Sequence, residues 1–388
     1  IKTKKKNKNK KNTYPTTHNS QPPYKKLNPM SLHFHPLPIK EIRKETTDCV
    51  SISFSVPDDL KELFTYKQGQ YLTVKTTIHG EEVRRSYSIC SSPLDNELRV
   101  AIKKVDQGIF STYANEALKK GDTLDVMPPI GKFFTELDQQ QSREYVGFAS
   151  GSGITPLLSI IKTTLRTELK SSFTLVYGNR NRHSIIFKEE LEGLKNLYMD
   201  RFRIIYILSR EKTDAAINFG RIDAEKCTAL CAKTIDISKT AAFFLCGPEE
   251  MIFSVKNQLE ASGVEKKKIH FELFTAVGLK KTTDDRRQTT EKTEVKSKIT
   301  VKLDGIAFDF DLGFDGDAIL DAALKNGADL PYACKGGVCC TCRAKLVEGE
   351  VDMDVNYGLE PEEIEQGFIL TCQSHPRTEK VVVDFDIK

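Results

Sequence analysis

No stretch of this 388-residue sequence approaches 18 consecutive apolar residues, which excludes a transmembrane helix. No apolar core follows the basic N-terminus, so no secretory signal is expected, and a soluble, cytoplasmic chain is. Internal repeats, a P-loop and a Ser-His-Asp set are missing. His33 and His35 form an H-x-H pair with no third ligand nearby, so a strand surface is the better reading than a metal site. Acids are absent from residues 1–29, which hold nine lysines. Without those lysines the chain has 49 basic residues against 54 acidic ones, so the formal charge of +4 comes from the tail. Its Lys, Asn, Thr and Pro content cannot bury apolar surface and predicts disorder. Met30 opens the first folded-looking stretch, and no basic run elsewhere supports a nucleic-acid or membrane partner. The tail is therefore read as an incidental extension.

What is present is ordinary in bulk and specific in detail. Hydrophobic residues make up 39% and charged residues 29%, and the length suits two or three domains. Of ten cysteines, Cys49, Cys90, Cys227, Cys231 and Cys246 are scattered, whereas the other five crowd into the last 55 residues. A disulfide framework would spread more evenly, so the cluster of thiols points to a metal site in a reducing compartment. Cys334, Cys339 and Cys342 have C-x4-C-x2-C spacing, and Cys372 follows thirty residues later. That is the plant-type ferredoxin pattern for a [2Fe–2S] cluster. A structural zinc site usually shows two C-x2-4-C pairs, and only the Cys339/Cys342 half fits. Cys340 falls outside the pattern and is read as non-ligating. Gly336 and Gly337 let the loop turn sharply and aim N–H groups at sulfur.

The expected fold is multidomain, α/β plus β. Residues 1–29 form the basic extension. Residues 30–137 alternate as short strands broken by Gly69, Gly80 and Gly121, which suggests an antiparallel barrel. Val50–Phe54 reads as a half-buried strand and 112–119 as a helix. Residues 138–278 alternate strand and helix, as in a parallel α/β domain. Within them 156–166 places Leu157, Leu158, Ile161 and Leu165 on one helical face. Residues 279–298 are nearly all polar and predict a linker. Residues 299–388 carry terminal strands and a helix over 318–325, with Asp315 or Asp317 as N-cap and Gly327 as its stop. The region from 297 onward has 18 acids and 9 bases, a net of −9, against +4 for 30–296. Opposite-sign lobes can steer docking, or serve solubility alone.

Three strings carry the flavin reading: Arg85-Ser86-Tyr87-Ser88, Gly108-Ile109-Phe110-Ser111, and Gly131-Lys132-Phe133. Their order resembles the ferredoxin–NADP reductase family, whose barrel binds FAD. The resemblance implies that Arg85 pairs with the diphosphate, Tyr87 stacks on the isoalloxazine and Ser88 hydrogen-bonds flavin N5. Gly108 and Ser111 would meet phosphate at a helix N-terminus. Gly151, Gly153, Thr155 and Pro156 form that family's G-x-G-x-x-P nucleotide loop, which departs from the G-x-G-x-x-G fingerprint. Cys246-Gly247-Pro248 matches its CGP element, which places Cys246 by the nicotinamide. Glu272 and Phe274 match its terminal E-x-F, implying proton supply by Glu272 and flavin packing by Phe274. Ser209 and Arg210 lie where relatives that prefer NADPH hold the 2′-phosphate, with NADH as the alternative.

A C-terminal ferredoxin after barrel and nucleotide domain narrows the family. Phthalate dioxygenase reductases share the order but use FMN. Four further strings are similar to reductase subunits of the phenylacetyl-CoA epoxidase type, over residues 30–388: Gly220–Asp223, Ile319–Leu324, Leu330–Cys339 and Val381–Asp386. The resemblance implies electron flow from NADPH through FAD and a [2Fe–2S] cluster to a di-iron oxygenase subunit. A reductase of this design serving another oxygenase or a hybrid-cluster partner, or an electron carrier with an inactive flavin half, are the alternatives.

Overall fold

The computed structural model describes residues 33–274 and 295–387. The basic extension and most of the expected linker lie outside the described residues.

The first domain is a six-stranded antiparallel sheet of β1 (His35–Thr46), β2 (Cys49–Phe54), β3 (Tyr71–Ile78), β4 (Glu81–Ser88), β5 (Leu98–Lys103) and β6 (Thr123–Val126). Its order is β4-β3-β6-β1-β2-β5, and an antiparallel bridge from Ile89 to Val100 brings the two edges together as a barrel. β2 is buried along its whole length rather than on one face. Its serines are inside because polar partners wait there: Ser51 Oγ donates to Glu45 and accepts from Arg99. The helix expected over 112–119 is α1 (Ile109–Glu116), three residues earlier. Gly108 stands in extended backbone as its N-cap, and the Lys119-Lys120-Gly121 turn, with Gly121 at φ +92°, follows its end. His35 packs edge-on against Phe64, and His33 pairs with Asp304.

The second domain is a parallel sheet ordered β11-β10-β7-β8-β9. Its strands are β7 (Glu144–Ser150), β8 (Ser172–Asn179), β9 (Phe202–Leu208), β10 (Thr240–Cys246) and β11 (Ile269–Glu272). Between them run α2 (Ile154–Thr167), α3 (Lys188–Leu197), α4 (Ala224–Lys233) and α5 (Glu249–Ala261). The chain steps outward from β7 in one direction, then returns to β10 on its other side. The gap at the carboxyl ends of β7 and β10 is thus the topological switch point where ligands bind such sheets.

α2 is not apolar on one face and wet on the other; it is buried all round through Leu165. Its polar side faces the barrel, where Ser159 Oγ donates to the Ser91 carbonyl at 2.6 Å and Lys162 pairs with Asp95 at 2.6 Å. Apolar packing joins the same two domains. Phe133 of the barrel meets Phe244 edge-on at 5.7 Å, and Phe244 also packs with Tyr145 and Phe173. Phe244→Ala should therefore cost about 3–5 kcal/mol and loosen both domains together. Denaturant unfolding followed by circular dichroism checks this, and an unchanged midpoint would contradict it.

The third domain holds β12 (Lys296–Leu303), β13 (Ile306–Gly313), α6 (Ile319–Lys325), β14 (Arg343–Glu348), β15 (Val351–Met353), α7 (Pro361–Glu365), β16 (Phe368–Leu370), β17 (Ser374–Pro376) and β18 (Lys380–Asp384). Its main sheet runs β13-β12-β18-β14-β16, with β12 and β18 parallel. β12 starts inside the expected linker because Lys296 and Ser297 already pair with Gly313 and Leu312. The N-cap of α6 is Ala318, not Asp315 or Asp317. The Leu320 N–H is met by the Thr371 carbonyl, and Asp317 pairs with Lys325 instead.

Candidate functional site

A cleft of about 910 Å³ opens at the switch point. Its barrel wall carries Arg85, Tyr87 and Ser88 from β4, with Gly108 and Ser111 where α1 begins. β4 puts its two adjacent arginines on opposite faces, as period-two alternation requires. Arg85 looks into the cleft, and Arg84 is turned away and buried. The Tyr87 ring packs on Phe110 at 5.6 Å, so α1 holds its tilt. A Cβ on Gly108 would stand 2.3 Å from Ser111 Oγ and 2.5 Å from Val105, so a larger residue there would have to push both side chains aside.

The opposite wall is the mouth of the parallel sheet. Gly151 and Thr155 enter from the turn into α2, Gly247 and Pro248 from the end of β10, and Ser209 from the end of β9. Phe274 also lines the cleft. Gly153 stands behind this wall, where a Cβ would lie 2.0 Å from the Cys246 carbonyl oxygen; it lets the α2 turn close on β10. Pro156 is buried in the first turn of α2, where its missing N–H has no helical partner to lose. Arg210 is exposed and outside the cleft wall, whereas Arg180 and Arg221 line it. Arg180 stood in no motif, and Arg221 stood in the Gly220–Asp223 string with no role given to it; the first follows the end of β8 and the second lies in the loop after β9.

Two more of the expected residues sit just beneath the cleft. Cys246 and Glu272 are register partners on β10 and β11. Burial, and then the Glu272 carboxylate, push the Cys246 thiol well above its ordinary range, so it stays neutral. Ser88 Oγ donates to Glu272 Oε2 at 2.8 Å, joining barrel to nucleotide domain. Burial raises the Glu272 carboxyl to about 7, against the opposing pull of that hydrogen bond.

The four thiols stand as two neighbouring pairs, Cys334 beside Cys339 and Cys342 beside Cys372. Among the described residues no three such ligands converge to hold a single metal ion. Two pairs suit two irons bridged by sulfide better than one zinc. The loop supplies donors: the Gly336 N–H points at Cys334 Sγ at 3.3 Å, and Gln373 Nε2 at Cys372 Sγ at 3.7 Å. Lys335 and Gly337 take φ of +51° and +71°, and a Cβ on Gly337 would lie 2.8 Å from the Val355 carbonyl oxygen. The residues present fit a [2Fe–2S] cluster.

This loop is seated on the barrel. Tyr71 packs with Ala333 and Cys339, and its hydroxyl accepts from the Cys340 N–H at 3.2 Å. Arg84 stacks on Tyr332 at 4.2 Å, donates to the Leu330 carbonyl and pairs with Asp329. Lys132 pairs with Glu363 at 2.7 Å, and Phe253 of α5 meets Tyr357 at 5.9 Å. Basic barrel residues thus meet acids of the third domain, as the charge split allowed.

The chain is 44% identical over 355 residues to a component of the 1,2-phenylacetyl-CoA epoxidase of Escherichia coli, covering 92% of this chain and 98% of that protein. The chain belongs to the ferredoxin–NADP reductase family, in the branch with a C-terminal ferredoxin domain. Family models match it as an oxidoreductase FAD-binding domain over 36–135, an oxidoreductase NAD-binding domain over 148–257 and a 2Fe-2S iron-sulfur cluster binding domain over 301–377. It is 31% identical over 353 residues to the ferredoxin reductase component of 3-ketosteroid-9-alpha-monooxygenase from Rhodococcus rhodochrous, covering 90% of this chain and 96% of that one. The solved structure of phthalate dioxygenase reductase shares its fold at a TM-score of 0.55 and 22% identity, covering 91% of this chain and 98% of that one. It is therefore an oxidoreductase of FAD, pyridine nucleotide and a [2Fe–2S] cluster. None of its described helices is long and apolar enough to cross a membrane.

Proposed function

We propose that the chain carries electrons from NADPH, through FAD and the [2Fe–2S] cluster, to the di-iron oxygenase subunit of a phenylacetyl-CoA epoxidase in the cytoplasm. One observation supports this order of carriers above all. Tyr71, whose side chain touches the cluster loop, is the cross-strand partner of Ser88, which lines the cleft. One register pair of β3 and β4 therefore touches both the cluster loop and the cleft.

Bound flavin supplies the change from two-electron to one-electron transfer. The protein's residues do the rest. Arg85, at the cleft wall, would hold the diphosphate through its planar fork, and the first turn of α1, from after Gly108 to Ser111, would offer it N–H groups, the Gly108 N–H itself being given to the Val105 carbonyl. Tyr87, propped by Phe110, and Phe274 would pack against the ring system, and the small residues Gly151, Thr155, Gly247 and Pro248 would leave room for nicotinamide. Gly153 and Pro156 shape that turn from behind. Neutral, buried Cys246 closes the floor and takes no part as a nucleophile. Oxidising NADPH by two electrons releases one proton per turnover, and the Ser88 Oγ–Glu272 Oε2 pair is placed to carry it. Cys334, Cys339, Cys342 and Cys372 would hold the cluster, which would supply the one-electron step.

Ser209 lies on the cleft and Arg210 next to it, with Arg180 and Arg221 adding positive charge. Arg221→Ala should raise KM for NADPH about tenfold, one charge-assisted contact, and leave KM for NADH within about twofold. Equal effects on both nucleotides would refute the 2′-phosphate reading. Reconstitution with the epoxidase's oxygenase subunits tests the acceptor: NADPH and phenylacetyl-CoA should yield epoxide. Uncoupled NADPH consumption without product, beside product formed with another oxygenase, would overturn it.

A further inference from the structure

Tyr71 enters none of the steps above, yet it is 6% exposed and packs with Cys339 in one apolar cluster. Its ring leans on Gly131, where a Cβ would lie 3.1 Å away. Three contacts meet around its hydroxyl. The Cys340 N–H donates to it at 3.2 Å, Thr341 Oγ1 lies 3.3 Å off, and Cys340 Sγ also lies 3.3 Å off. Thr341 Oγ1 is in turn 3.4 Å from Cys339 Sγ.

Hydrogen-bond chemistry orients this chain of groups. As an iron ligand Cys339 is a thiolate and can only accept, so Thr341 O–H donates to it. The Thr341 oxygen is then free to accept, and it is a stronger acceptor than the Cys340 thiol, so Tyr71 O–H donates to Thr341. The sequence runs one way: Cys340 N–H to Tyr71, Tyr71 to Thr341, Thr341 to Cys339 sulfur. Hydrogen bonds in series polarise one another, and hydrogen bonds to cluster sulfur favour the reduced form.

We infer that Tyr71 of the flavin barrel, acting through Thr341, raises the reduction potential of the cluster while the iron–sulfur domain is seated. Tyr71 is a positioning residue: it touches no iron ligand through its hydroxyl and acts through its neighbour. The relay crosses the domain boundary, so the seated cluster is the better electron acceptor. A cluster lifted away from Tyr71 is the better donor. This rests on the proposed assignment of Cys339 as a ligand.

Potentiometric titration of the full-length protein, followed by the electron paramagnetic resonance of the cluster, tests it. Tyr71→Phe keeps the ring against Gly131 and removes only the hydroxyl. It should shift the one-electron equilibrium about threefold toward the oxidised form, about 28 mV at ~59 mV per tenfold. Thr341→Val should shift it at least as far, and Thr341→Ser should restore the wild-type potential. Adding Tyr71→Phe to Thr341→Val should do nothing more. Unchanged potential in Tyr71→Phe with an intact cluster signal, or additive shifts in the double variant, overturns the relay. Absence of any cluster signal from the unsubstituted protein would overturn the ligand assignment and the relay with it.

Discussion

Replacing Cys372 with serine is expected to abolish delivery of electrons to the oxygenase while NADPH–ferricyanide turnover stays within about twofold of wild type. The separation follows from where the residue stands. Cys372 stands two residues after β16, beside Cys342 in the third domain, and is not among the residues that line the cleft. Ferricyanide is small and can take electrons at the cleft, so it reports on the flavin half alone. The oxygenase is reached only through the iron. Serine is a poorer ligand than thiolate, and the site it leaves is 6% exposed, so no outside thiol can replace it. Delivery should fall by more than about a hundredfold, and the visible absorbance of the cluster should be lost or altered. Cys340→Ser is the contrasting variant and should keep that absorbance. Equal loss of both activities in Cys372→Ser would contradict the order of carriers. A normal cluster spectrum would contradict the ligand set.

Much of this site was legible because its chemistry demands a residue type at a fixed spacing. Four thiols at ferredoxin spacing, glycines where backbone must come close, and an arginine and a tyrosine two apart on a strand are all visible in the string. The glycine positions are the clearest case. Gly153 and Gly337 each stand where a methyl group would collide with backbone.

The parts that were not legible depend on contacts made far along the chain. Arg84 and Arg85 are neighbours of the same type, and nothing local says which one faces the cleft; Asp329 and Tyr332, some 245 residues on, claim Arg84. Arg210 fits the expected nucleotide string, yet the ends of β8 and the loop after β9 bring Arg180 and Arg221 to the wall instead. The period of α2 marks its apolar face but not what covers its polar side, which meets the barrel. α1 was set three residues late because Ile109–Ser111 carry no side-chain cap to mark the start. Tyr71 reads as one more strand aromatic until the third domain is seated against it.

The Ser88–Glu272 pair leads to a pH profile whose sign can be worked out. A carboxyl whose value is raised to about 7 is protonated below that pH and ionised above it. Each NADPH oxidised leaves one proton to be removed, and only the ionised carboxylate can take it from Ser88 Oγ. NADPH–ferricyanide turnover should therefore rise with pH, by about ninefold between pH 6 and pH 8, as the ionised fraction grows from about one-tenth to about nine-tenths. Glu272→Gln keeps the hydrogen bond from Ser88 but cannot accept a proton. It should lower turnover by about a hundredfold and flatten the profile across the same range. Ser88→Ala cuts the same route at its cleft end, so the double variant should be no slower than the slower single one. The pH dependence separates this role from a merely structural one. Loss of a domain contact would lower turnover at every pH and leave the slope in place, whereas loss of the proton acceptor removes the slope itself. A wild-type profile that is flat from pH 6 to pH 8, or a Glu272→Gln variant that still rises about ninefold, would rule out Glu272 as the group that titrates.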